Sequence, residues 1–306
     1  MKRLLAAVAA FAAGMMPLAL LSVSDAAFAT STTVAHQDIR GAAAGVNDFE
    51  FESFTADYYL ARDTQGHATL TTVETFVAIY PSFDQNRGMI RAIPNDYDGV
   101  PQETRVVSVE DENGEPVPYT VEIYNGFTEL ALGTEDYIHG RTTYTITYTN
   151  ENVVRAFADS GNDEFYTDTN GTGFDQSFGT VTARVHIDPE LTEFLTGSAA
   201  CYQGVQGSAA QCTMTDAVDE SGRTFTATVP TLGPRENLSL AIEFVGGTFV
   251  QVPPDTNYTE PWAPSGPRPL WIDVGGILIG LFTVMGSAFT IVRRFLKPKA
   301  SRGRGI

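Results

Sequence analysis

Apolar and polar residues alternate with a period of two through the middle of this chain. Val181, Ala183, Val185 and Ile187 interleave with Thr182, Arg184 and His186, and Leu238, Leu240, Ile242 and Phe244 with Ser239, Ala241 and Glu243. Successive side chains of a strand point to opposite faces, so each run predicts a half-buried β-strand. Tyr144, Ile146 and Tyr148 set among Thr143, Thr145 and Thr147 predict another, as do Tyr119, Val121 and Ile123. The many threonines suit a pleated surface. No comparable amphipathic helix appears in this region. Turn residues punctuate the runs at 63–66, at 95–99, at Asn113-Gly114, at Asn125-Gly126 and at Gly246-Gly247. Short strands broken up this way predict an all-β domain over 48–250, an antiparallel β-sandwich built as one large or two small lobes. The irregular stretch 150–179 is the expected place for a break between lobes.

Two longer apolar stretches bracket this domain. Lys2 and Arg3 precede an apolar run over 4–21 that leads to Ala27, Phe28 and Ala29, the charged-apolar-small order of a signal peptide over 1–29. An uncleaved anchor is the alternative, against which Pro17 and the small residues after Val23 speak. A small, polar leader over 30–47 follows and is expected to be flexible and unpacked, with the folded part starting at Phe49. After the domain, residues 251–269 hold Pro253, Pro254, Pro261, Pro264, Pro267 and Pro269 and predict a stiff extended stalk. Residues 270–292 carry one charge, Asp273, and at about 1.5 Å per residue are long enough to cross an apolar layer of about 30 Å. Asp273 sits near the outer end, where water or headgroups solvate it.

The tail over 293–306 holds Arg293, Arg294, Lys297, Lys299, Arg302 and Arg304, whereas no lysine lies between Lys2 and Lys297. Excess positive charge stays on the cytoplasmic side, so a single-pass topology is expected with the β domain outside the cell membrane. Gly276 and Gly280 form a GxxxG pair that permits close helix packing and homodimerisation within the membrane.

Charge narrows the partners. Residues 30–269 contain 11 Arg, no Lys and 35 Asp plus Glu, so 11 minus 35 gives a formal charge of −24. Such a surface repels nucleic acid and anionic lipid; it stays well solvated, and it attracts divalent cations or basic partners. Cys201 and Cys212 are the two cysteines, and in an exported domain they are expected to form a disulfide, whose loop closure stabilises by about 3 kcal/mol. With four scattered histidines, a Cys/His zinc cluster is not expected.

Candidate chemistry is sparse. Asp168, Asn170, Thr172 and Asp175, with Gly173, follow the oxygen spacing of a calcium loop, but the twelfth position is Gly179 rather than Glu, so an EF-hand fails and a looser calcium site competes with a plain turn. Calcium is the one cofactor the residues suggest. No GxSxG elbow, P-loop or dinucleotide fingerprint occurs, and both cysteines are committed. His139, His186 and the Asp111-Glu112 pair read as solvated surface. Arg91, between Ile90 and Ile93, is expected to pair with a buried carboxylate or else to face a ligand.

The segment Gly88-Met89-Ile90-Arg91-Ala92-Ile93-Pro94 with Tyr97 and Gly99 resembles the bacterial membrane-protein family known as domain of unknown function 2207. Gly140 with Tyr144, Ile146 and Tyr148 is similar to one of its strands. Glu164-Phe165-Tyr166, the Cys201 to Cys212 loop with Gly204, Gly207 and Ser208, and 232–244 with Gly246 match further blocks in order. Tyr166 and Phe174 stand at positions where the family usually has tryptophan, and the family's cytoplasmic region with further spans does not appear here. The resemblance implies a signal, a β-rich outer domain and a membrane span, with no catalytic residues. The expectation is therefore a non-enzymatic cell-surface protein whose ectodomain binds a protein or envelope component. The alternatives are an accessory or sensing subunit of a membrane complex and an envelope-remodelling enzyme.

Overall fold

A computed structural model describes residues 45–254. The expected signal peptide, most of the leader and stalk, the span over 270–292 with Gly276 and Gly280, and the basic tail lie outside the described residues. Among the described residues no helix is long and apolar enough to cross a membrane.

Alternation becomes strand where it was expected. The described residues open with a long hairpin, β1 (Glu50–Arg62) and β2 (Ala68–Tyr80), followed by β3 (Asn86–Pro94) and a short hairpin of β4 (Asp96–Tyr97) and β5 (Val100–Pro101). Next come β6 (Arg105–Glu110), β7 (Tyr119–Tyr124), β8 (Phe127–Ile138) and β9 (Gly140–Glu151), then β10 (Val154–Phe157), β11 (Asn162–Asp168) and β12 (Phe178–Ile187). A 3₁₀ segment, Pro189–Phe194, leads to β13 (Leu195–Val205), β14 (Ala210–Gln211), β15 (Met214–Asp219), β16 (Gly222–Val229) and β17 (Glu236–Phe244).

These strands form a seven-stranded sheet ordered β15-β16-β12-β1-β2-β9-β6, a five-stranded sheet ordered β10-β11-β17-β13-β14, a three-stranded sheet ordered β3-β8-β7, and the β4-β5 pair. One face of the large sheet is buried in cross-strand rows. Val181, Phe54, Phe76 and Tyr144 make one row; Ala183, Ala56, Glu74 and Ile146 the next; Val185, Tyr58, Thr72 and Tyr148 a third. Phe165, Leu238, Leu240 and Ile242 of the five-stranded sheet and Met89, Ile93, Leu130 and Leu132 of the three-stranded sheet join the same core. Phe51 stacks on Phe178 with ring centroids 4.5 Å apart and Phe54 meets Phe76 at 4.4 Å. Each buried ring contributes about 1.5–3 kcal/mol by leaving water. On the other face, Thr145, Thr75, Thr55, Thr182 and Thr228 align across five strands, which accounts for the threonines interleaved with the apolar positions.

Four features depart from the expectation. β1 and β12, at the centre of the large sheet, run parallel; a parallel neighbour needs a long crossover, which alternation within a strand does not reveal. The stretch 150–179 holds β10 and β11, whose Phe165 enters the shared core. Tyr119, Val121 and Ile123 of β7 are exposed rather than half-buried. The last leader residues are tied down, because Asn86 Nδ2 donates to the Val46 carbonyl at 2.6 Å and Gln176 Nε2 to that of Asn47 at 3.1 Å.

β3 and β8 cross closely at paired glycines, Gly88 opposite Gly133. Gly88 has φ +148, and a Cβ there would lie 1.6 Å from the Leu132 carbonyl oxygen. That atom is backbone and cannot rotate away. Gly88→Ala is therefore expected to cost at least about 2 kcal/mol. Thermal or urea unfolding of the variant checks this; an unchanged midpoint would contradict the packing.

Candidate functional site

Glu74 sits at a core position of β2 with no solvent exposure, and Arg91 of β3 reaches it from the three-stranded sheet. The guanidinium binds both carboxylate oxygens, Nε to Oε2 at 2.7 Å and Nη2 to Oε1 at 2.6 Å, the two-pronged geometry that suits this pair. Tyr148 donates its hydroxyl to Glu74 Oε1 at 2.8 Å. Burial alone would lower the Arg91 pKa, but the Glu74 charge outweighs it and holds the guanidinium protonated. Tyr148 is pushed well above its usual pKa by burial and by Glu74. Arg91 also donates to the carbonyls of Thr169 and Asn170, each at 3.4 Å, and Tyr58 reaches Thr169 at 3.5 Å.

From there hydrogen bonds lead outward across the five-stranded sheet. Asn170 Nδ2 donates to the Glu236 carbonyl at 2.8 Å, and its Oδ1 accepts from Leu238 N at 3.1 Å. Gly171 N donates to Asn237 Oδ1 at 2.9 Å. Asn237 Nδ2, Ser239 Oγ and the Tyr166 hydroxyl then converge on one oxygen, Asp168 Oδ1, at 2.8, 2.6 and 2.9 Å. Burial raises the Asp168 pKa above the ordinary carboxylate value even though these three donors favour the charge.

Period two places Glu164, Tyr166 and Asp168 on one face of β11, opposite Glu243, Ala241 and Ser239 of β17. Tyr97 stacks on Tyr166 at 6.4 Å with an interplanar angle of 20°. Burial, Glu164 and Asp168 all raise the Tyr97 pKa, and burial followed by Glu164 raises that of Tyr202. Arg155 of β10 pairs in register with Glu164 and donates to the Val252 carbonyl at 2.9 Å, so the first stalk residues run beside this face. The result is a polar and aromatic face on which Tyr97, Tyr166, Asp168 and Arg155 are half-buried and Glu164 and Tyr202 lie buried beside them. Ring faces, a carboxylate and amide and hydroxyl donors can recognise a ligand; none of these groups is an activated nucleophile.

The structure brings Asp168 and Asn170 into this network and leaves Thr172 and Asp175 outside it. Asp175 Oδ1 accepts from Arg235 Nη2 at 2.7 Å, and its Oδ2 from Asn47 Nδ2 at 3.3 Å. Among the described residues no group of three or more His, Cys, Asp or Glu is placed to hold a metal ion. Cys201 and Cys212 are disulfide-bonded. His139 bonds Asp84 at 3.1 Å on the surface. His186 lies between Asp57 at 2.8 Å and Thr224 Oγ1 at 3.1 Å and stacks on Tyr59. This hydroxyl, imidazole and carboxylate sit on strands whose backbone is engaged in ladders on both sides.

Sequence reasoning isolated Arg91 but missed Glu74, Tyr97, Asn237 and Ser239. Glu74 had a signal, a lone acid in the same register as the apolar Leu70, Phe76 and Ala78. Tyr97 stood in the family-like segment with no role attached, and Asn237 and Ser239 had no signal, because their partners lie far along the chain.

The family profile described as Predicted membrane protein (DUF2207) N-terminal domain matches residues 50–244. The chain belongs to this family. The matched region contains Glu74, Arg91, Tyr97, Arg155, Glu164, Tyr166, Asp168 and Tyr202, so the whole face is part of the DUF2207 domain. No curated protein matches the chain. Among solved structures, an M1 zinc metallopeptidase from Deinococcus radiodurans is similar at 12% identity and a TM-score of 0.38, over 63% of this chain and 42% of that one. Leukotriene A4 hydrolase from Saccharomyces cerevisiae is similar at 10% identity and a TM-score of 0.39, over 64% of this chain and 29% of that one. This chain spans less than half the length of either enzyme, and likeness at this level carries nothing about activity.

Two outcomes follow from the electrostatics. Arg91→Met strands a buried carboxylate and should cost about 3–5 kcal/mol, while adding Glu74→Leu should recover much of that loss, as a double-mutant cycle by urea unfolding would read. Asp168 behaves differently. Its raised pKa means the folded state holds this proton more tightly than the unfolded chain, so its contribution falls as pH rises from the unfolded carboxylate value, about 3.9, through the higher folded value. Asp168→Asn keeps an acceptor for the three donors but does not titrate. Wild type should thus lose stability relative to this variant between acid and neutral pH, and parallel pH profiles would contradict the assignment.

Proposed function

We propose that this DUF2207 member is a membrane-anchored, non-enzymatic binding module whose acidic domain lies outside the cell and engages a hydroxyl-rich envelope component through its polar and aromatic face. The observation that carries this reading is the stacked Tyr97-Tyr166 pair beside Asp168, one of whose oxygens already takes three donors. Aromatic rings next to a fixed carboxylate suit a ligand with apolar faces and many hydroxyl groups. The scarcity of activated groups among the described residues favours binding over catalysis.

The competing reading is an accessory or sensing subunit of a membrane complex. It rests on the GxxxG pair of Gly276 and Gly280 and on the basic tail, which would dock against another membrane protein.

Crosslinked co-purification from native membranes separates the two. A binding module should keep its partner when residues 274–295 are replaced by an unrelated apolar helix and lose it with Tyr97→Ala and Tyr166→Ala together. Loss of the partner on the helix swap, with retention in the tyrosine variant, would make the chain a complex subunit instead.

A further inference from the structure

Three rows of the three-stranded sheet run outward to its β7 edge. Met89, Leu132 and Tyr119 form one; Arg91, Leu130 and Val121 the second; Ile93, Thr128 and Ile123 the third. The β3 and β8 members of every row are buried, whereas Tyr119, Val121 and Ile123 are 37%, 47% and 40% exposed. The core-facing surface of this sheet therefore continues past the core and ends as an apolar stripe in solvent. β7 is also the last strand in its sheet, so the backbone on its far side is not used in a ladder.

Natural edges are blunted by lysine, proline or a bulge. Pro118 precedes β7, but Tyr119–Tyr124 contains none of these devices, and its register with β8 is unbroken. An edge of this kind accepts an added strand.

Charge specifies the occupant. On the opposite face of the strand Glu122 stands directly across from Glu129, an arrangement that like charges disfavour. Glu122 makes no ion pair with another described residue. The end of β6 and the turn from it into β7 add Glu110, Asp111, Glu112 and Glu115. A second copy of this edge would bring more acid to the same place, whereas a basic strand would relieve the repulsion.

We infer that β7 is a docking edge for an extended basic segment of another polypeptide. The segment adds as a fourth strand beyond β7. Its apolar side chains lie beside Tyr119, Val121 and Ile123, and its alternate Lys or Arg side chains face Glu122. This surface is separate from the tyrosine face and does not depend on what that face binds.

The test uses the full chain in detergent micelles and a synthetic peptide of about ten residues alternating valine and lysine, with a valine-glutamate peptide as control. Amide hydrogen exchange should show protection of Tyr119–Tyr124 by the lysine peptide alone. Val121→Pro should weaken its binding by about tenfold or more, since it removes a backbone donor and an apolar contact. Glu122→Lys should switch the preference to the glutamate peptide, and this variant decides the matter if the proline variant does not fold. Binding that Glu122→Lys leaves unchanged would be unspecific attraction to an acidic domain and would overturn the proposal. So would protection of β7 in the peptide-free protein that grows with protein concentration, because a second copy would then hold the edge.

Discussion

One buried ion pair connects the parts of this molecule. Glu74 belongs to the large sheet, Arg91 to the three-stranded sheet, and the carbonyls that Arg91 also binds belong to the segment leaving the five-stranded sheet. Taking two charges out of water costs several kcal/mol each, and the two-pronged contact with the added Tyr148 hydroxyl offsets that cost only in this geometry. Apolar packing alone would let three sheets slide over one another, since it lacks direction. The ion pair makes one arrangement cheaper than its neighbours.

The outer face inherits its order from this core contact. Arg91 positions the backbone at Thr169 and Asn170, Asn170 holds the start of β17, and Asn237 and Ser239 on β17 in turn fix the carboxylate of Asp168. Tyr166 is thereby oriented by the same oxygen, and Tyr97 lies on it. A buried polar network of this type is useful only when its members are satisfied, because each orphaned group costs about 1–3 kcal/mol. The two broad faces of the protein consequently differ. The large sheet presents rows of threonine, while the five-stranded sheet presents rings and carboxylates held in place from below.

Much of the fold could be read from the residues. The alternations at Val181, Leu238 and Tyr144 became β12, β17 and β9, and each expected turn separates strands or closes one. The family resemblance was legible too, through Arg91 and its neighbours. Less of the face was legible. Asp168 and Asn170 drew attention by their oxygen spacing, yet their partners at 237 and 239 lie some seventy residues further on, and local spacing is silent about them. Tyr119, Val121 and Ile123 carry the same alternation as any core strand, so their exposure followed only from their place at a sheet edge.

From the residues alone came the all-β class, several of the strands with the side of each that is apolar, the acidity of the domain and the family resemblance. These are properties of neighbouring residues and of sums over the chain. The parallel pairing of β1 with β12, the carboxylate that meets Arg91, the convergence of three donors on Asp168 and the strand left at the edge came from the folded arrangement. Each of these depends on which distant segments are brought together, and period-two alternation fits many sheet orders equally well.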